Sequence, residues 1–232
     1  MENASKLISL LSARASSFAS ILDHDLNAPD VVRLDFTAEN KALLQTDFKD
    51  TASFEQFVLE MLRQQNATVG VGGYFENRVI YRRSEHFEGT AESRSVHLGV
   101  DIWAPAHLPI YAPLAGTVHS FQDNDNFGDY GPTIILAHEL EGITFYTLYG
   151  HLSRTSLEGL YAGKPIAAGN QIATMGPYPE NGDWPPHLHF QVMTNLLGKS
   201  GDFPGVCAPS EEGYYRQICI DPNLILGSRH LH

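Results

Sequence analysis

The chain has little positive charge, few cysteines and no long apolar run. Its 232 residues carry 15 Lys and Arg against 27 Asp and Glu, a formal net charge of −12. Partners held through phosphates need clustered Lys and Arg, and no basic run occurs, so no nucleic acid is expected as a partner. The acidity itself reads as a solubility feature. No stretch approaches the roughly 20 apolar residues that cross a bilayer, and no membrane association is expected. A secretory leader is poorly supported. The apolar run at residues 7–11 is short, Glu2 stands where a leader is basic, and Arg14 interrupts the small residues Ala13 and Ala15. A cytoplasmic location is therefore expected. Cys207 and Cys219 have no Cys or His neighbour at zinc-finger spacing, so free thiols are expected. Other signatures are missing too. His138-Glu139 is not followed by a second histidine at helical spacing, residues 70–73 fit no nucleotide-binding loop, and no Gly-x-Ser-x-Gly elbow occurs.

What is present suffices for a packed core, with 43% hydrophobic and 18% charged residues. Residues 1–74 read as a helix-rich N-terminal region. Ile8, Leu11, Ala15, Phe18 and Leu22 recur at helical steps, residues 31–36 read as extended, and residues 53–65 place Phe54, Phe57, Val58, Met61 and Leu62 on one helical face. Thr51 or Ser53 is the expected N-cap. From residue 75 to 195 short β-prone runs alternate with turns, at 78–82, 100–103, 110–111, 116–121, 133–137, 144–149, 171–175 and 187–193. This spacing predicts a mainly β fold, an antiparallel sandwich or barrel, behind the N-terminal helices. Residues 123–131 read as a loop, and residues 196–232 as an irregular tail packed on the β domain.

The informative segment is Pro185-Pro186-His187-Leu188-His189-Phe190-Gln191-Val192. Two prolines and the β-favouring residues after them predict a strand, in which His187 and His189 share a face. His97 and Asp101, four apart in a second predicted strand, also share a face. Imidazole and carboxylate suit zinc, and two His with one Asp fill three corners of a tetrahedron while leaving one open, the pattern of a catalytic rather than structural site. In Tyr149-Gly150-His151-Leu152, Gly150 allows a turn that sets His151 at a strand end. With one of the paired histidines it is a candidate for proton transfer or oxyanion stabilisation. His107, His119 and His138 have no partner at ligand spacing.

In this order, His97-x-x-x-Asp101, Tyr149-Gly150-His151-Leu152 and His187-Leu188-His189 resemble the lysostaphin/LytM-type zinc metallopeptidases, over about residues 75–195. The resemblance implies a duplicated hybrid motif fold, Zn2+ held by His97, Asp101 and His189, and catalytic roles for His151 and His187. It implies a zinc metalloendopeptidase acting on peptidoglycan-type or glycine-containing peptides. Gly72-Gly73-Tyr74, Tyr111-Ala112-Pro113, residues 181–186 and Asp202-Phe203-Pro204-Gly205 resemble a subgroup embedded between phosphotransferase-like and aminotransferase domains, company that is metabolic rather than wall-directed. Two alternatives stand beside the peptidase: a zinc hydrolase of a small cytosolic amide or ester, and a metal-retaining module that binds without catalysis. Asn126, Tyr130, Tyr149 and Trp184 are candidate substrate contacts, with packing in the β core as the competing role. The N-terminal helices are open to three roles: covering the cleft, dimerising, or docking another protein.

Overall fold

The computed structural model describes residues 2–84 and 92–231. Helix α1 (Glu2–Ala13) turns Leu7 and Leu11 into the core, one helical turn apart. Of the face expected from sequence, Leu11 is buried, Ile8 is 41% exposed with Leu7 turned inward in its place, and Ala15, Phe18 and Leu22 lie beyond the helix end. Helix α2 (Thr51–Gln64) buries Phe54, Val58 and Leu62. Its N-cap is Asp50 rather than Thr51 or Ser53, because the Asp50 carboxylate accepts the Ser53 backbone N–H at 3.0 Å.

Thirteen strands are present among the described residues. They are β1 (Val31–Arg33), β2 (Val69–Gly72), β3 (Val96–His97), β4 (Val100–Trp103), β5 (Pro109–Tyr111), β6 (Gly116–Asn124) and β7 (Gly131–Leu140). After them come β8 (Ile143–Gly150), β9 (Pro165–Ile166), β10 (Gln171–Thr174), β11 (His187–Met193), β12 (Val206–Cys207) and β13 (Cys219–Ile220). The main sheet has nine strands in the order β1-β2-β4-β11-β8-β7-β6-β9, with β13 also paired to β11. Two two-stranded sheets, β10-β5 and β12-β3, stand beside it. The sheet is mixed: β1 and β2 run parallel, and the other pairings among the described residues are antiparallel. Strands β1 and β2 thus join the N-terminal region to the sheet that carries β4 and β11.

Two expectations fail here. Residues 78–82 do not form a strand; Ile80–Arg83 is a 3-10 turn, and Arg78 and Arg83 are buried instead of alternating outward. The tail after residue 196 is not wholly irregular, since β12 pairs with β3 and β13 with β11. Cys207 and Cys219 are buried free thiols.

Strand alternation sorts the central sheet into two faces. Val100, Ile102, Leu188, Phe190 and Val192 pack with Leu7 and Leu11 in the largest apolar cluster. Residues of the opposite parity, Asp101, Trp103, His187, His189 and Gln191, are buried on the other face. Among the described residues, no helix is long and apolar enough to cross a membrane.

Candidate metal centre and active site

The site is built on the antiparallel pair β4-β11, whose register sets His189 opposite Asp101 and His187 opposite Trp103. Directly opposed residues share a face, so all four side chains project together. His97 arrives from β3 through Leu98-Gly99. Gly99 is required by this approach, because a Cβ there would meet the Phe190 carbonyl oxygen at 2.7 Å and the His189 ring at 2.8 Å.

Three donor atoms converge. His97 Nε2 lies 3.0 Å from His189 Nδ1 and 3.2 Å from Asp101 Oδ1, and His189 Nδ1 lies 3.1 Å from the same oxygen. The far nitrogens are engaged elsewhere. His97 Nδ1 donates to the Gly73 carbonyl at 3.0 Å, and His189 Nε2 donates to Gln191 Oε1 at 3.0 Å. These partners set the tautomers, so both remaining lone pairs face the carboxylate oxygen. Three mutually repelling lone pairs in a buried spot call for a cation. Exposure there is 1% for His97, 2% for Asp101 and 3% for His189. Ligand atoms about 2.0–2.2 Å from a tetrahedral zinc stand about 3.3 Å or slightly more apart, close to the observed triangle, so the residues fit the ion. The three form a group able to hold a metal.

The electrostatics agree. Burial pushes the His97 imidazole down to about 4, and the Arg78 guanidinium adds to the shift. Burial opposes ionisation of Asp101, yet the Arg78 guanidinium beside it holds the carboxyl well below the usual range. His97 is thus a neutral imidazole beside an ionised carboxylate.

Beside the triangle, a cavity of about 140 Å³ is lined by Tyr81, Tyr130, His151, Trp184, His187 and Phe203, among others. His151 Nδ1 donates to the Asn181 carbonyl and His187 Nδ1 to the Pro185 carbonyl, each at 2.8 Å. Each Nε2 is left as an acceptor. The two rings lie 4.1 Å apart, and Trp103 stacks on His187 at 4.0 Å. Burial holds His187 down at about 4; burial and then the neighbouring His187 hold His151 well below its ordinary value.

Of the candidate substrate contacts, Tyr130 and Trp184 line the cavity. Asn126 does not: it is exposed on the loop and donates to Asp129 at 3.2 Å. Tyr149 is also away from the site. It pairs with Phe190 in the β8-β11 register, so its ring enters the apolar core and packs on Phe190 at 5.3 Å. Sequence reasoning missed Gln191, although its position two residues after His189 on one strand face signals it. It also missed Glu76 and Arg78, which no ligand spacing marks, and the cavity wall at residues 203–206.

Residues 95–200 match the family described as "Peptidase family M23". Among curated proteins, none matches the chain. Several solved structures are similar. A peptidase M23 from Pseudomonas aeruginosa is 23% identical over 57% of this chain and 44% of its own, with a TM-score of 0.38. A zinc-containing peptidase from Vibrio cholerae is 25% identical over 45% of this chain and 29% of its own, at a TM-score of 0.34. The catalytic domain of lysostaphin from Staphylococcus simulans is 24% identical over 53% of this chain and 80% of its own, at 0.36. The matched region therefore spans less than half of the first two chains.

Proposed function

We propose that the protein is a zinc-dependent hydrolase of peptide or other amide bonds, a reading supported by the match of residues 95–200 to peptidase family M23. The observation that carries this reading is the buried triangle of His97 Nε2, Asp101 Oδ1 and His189 Nδ1, with two neutral histidines on the adjoining cavity. When bound there, zinc supplies Lewis acidity that polarises an amide carbonyl and makes water more acidic.

The chain's own residues handle the proton. As water adds to the amide carbon, Nε2 of His151 or His187 accepts the proton it sheds. The same atom, once protonated, donates to the departing nitrogen as the C–N bond breaks, or to the oxyanion before it. Burial makes either imidazolium a strong acid that gives its proton up readily. The Trp103 face stacked on His187 favours the transient positive charge. Tyr130 and Trp184 offer flat walls with polar tips to orient the substrate.

Zinc content of the purified protein, measured with hydrolysis of glycine-containing and D-alanyl peptides, tests the reading. One zinc per chain with amide cleavage is expected; metal-loaded protein inert on a broad amide panel contradicts it. The size of the cavity favours a second reading. The cavity, about 140 Å³ and open to solvent, has residues 203–206, Ile80 and Tyr81 among its walls. A small amide or ester, or the end of a peptide, suits that space better than an extended chain. Metabolite profiling of wild type against His151→Ala separates the two: an accumulating small amide supports the second reading, and accumulating uncleaved wall peptides support the first.

A further inference from the structure

The metal triangle is backed by a segment N-terminal to the matched residues. Gly73 supplies the carbonyl that orients His97, and the His97 backbone is clasped by Phe75 and Glu76 through hydrogen bonds of 2.8 and 2.9 Å. Gly72 lies opposite Asp101 in the β2-β4 register. A Cβ at Gly72 would meet Arg78 Nη2 at 2.5 Å, so the glycine makes room for a guanidinium.

Arg78 fills that room with its side chain fully buried. Its Nε donates to Glu76 Oε2 at 2.8 Å, and its Nη1 donates to Asp101 Oδ2. Asp101 therefore divides its two oxygens: Oδ1 faces His97 and His189, and Oδ2 is held by Arg78. Arg78 is not among the residues lining the cavity, so it acts through Asp101 and not on substrate. The charges alternate as Glu76, Arg78, Asp101, which leaves one net negative charge facing the ion. Without Glu76, the Arg78 cation would cancel the Asp101 charge and leave no net negative charge facing the ion.

We propose that Arg78 is a positioning residue of the metal centre, clamping Asp101 so that it ligates through Oδ1 alone and the fourth corner stays open. This rests on the metal-site reading above. A freed Oδ2 can swing onto the ion, raise its coordination number and occupy the position a substrate needs. Arginine is suited to this task because its planar fork engages two carboxylates at once, which a lysine ammonium does not reproduce.

The test uses the full chain loaded with Zn2+ or Co2+. Zinc affinity is measured by chelator competition, coordination by the visible spectrum of the Co2+ form, and folding by circular dichroism. The variant Glu76→Gln/Arg78→Gln removes both charges and keeps the net buried charge unchanged. Zinc affinity is expected to fall about 10–100-fold, the range for lost outer-shell partners. The intense four-coordinate Co2+ bands are expected to weaken as coordination number rises. Wild-type affinity and spectrum in the folded double variant overturn the proposal. Should that variant not fold, Arg78→Lys, which keeps the charge, carries the test: a loss of about tenfold or more is expected, and wild-type values overturn it. Wild-type protein that binds neither ion overturns the metal reading itself, a failure visible before any variant is compared.

Discussion

Among the described residues, histidines are buried in two regions, and their ring nitrogens are used differently. In the β7-β8 hairpin, His138 has Nδ1 on the Ala115 carbonyl and Nε2 on the Thr147 hydroxyl, each at 2.8 Å. Nothing is left over. In the β3-β4-β11 region, His97 and His189 each place one nitrogen on a protein acceptor and turn the other toward the same carboxylate oxygen. Burial alone therefore does not mark a functional histidine. A buried lone pair whose nearest neighbours are other lone pairs does, because only a cation or a transferred proton relieves it.

The comparison can be broken by substitution in either region. The largest effect is expected from His189→Ala: zinc content falls to background and amide turnover drops at least about 10³-fold, more than any outer-shell change. Next comes His151→Ala, which should keep its zinc and lose about 10²–10⁴-fold in kcat, as expected for a proton-transfer group. Retained zinc is the decisive readout there, since loss of metal would place His151 among the ligands. The third test is acid stability of the metal-free protein. A histidine held down at about 4 in the fold titrates near 6.5 once unfolded, so the unfolded chain takes up protons first. Stability should be flat above about 6.5 and fall as pH drops from there toward 4 through His97 and His187; a flat Tm across this window contradicts their buried, neutral state. A smaller effect is expected from His138→Ala, which should cost about 1–3 kcal/mol in denaturant unfolding while zinc content and kcat hold. Least affected should be Tyr149→Phe, which removes a hydroxyl 3.2 Å from Thr147 and should cost under about 1 kcal/mol with unchanged KM.

The convergence of His97, Asp101 and His189 was legible because strand periodicity is strict. His187, His189 and Asp101 lie two or four residues from a partner, and period two places each on one face. The same rule, carried across to β8, would have removed Tyr149 from the site, since it stands opposite Phe190. The two longest helical segments were legible in kind, but their details depended on tertiary contacts. Leu7 rather than Ile8 turns inward because α1 packs on the sheet, and Asp50 caps α2 because its carboxylate reaches the Ser53 amide. Arg78 was illegible. A run such as 78–82 looks β-prone by composition, and only the fold reveals that its arginine is buried against Asp101, 23 positions away. Outer-shell residues in general obey no ligand spacing, so sequence pattern reaches the candidate ligands and stops there.

The claim on which the rest depends is that three side chains from β3, β4 and β11 share one ion. Anomalous diffraction at the zinc edge from crystals of the zinc-loaded protein tests it most directly. A single peak within bonding distance of His97 Nε2, Asp101 Oδ1 and His189 Nδ1, with no fourth protein ligand, is the result expected. A peak held by other residues, or none at this triangle in zinc-loaded crystals, would contradict it.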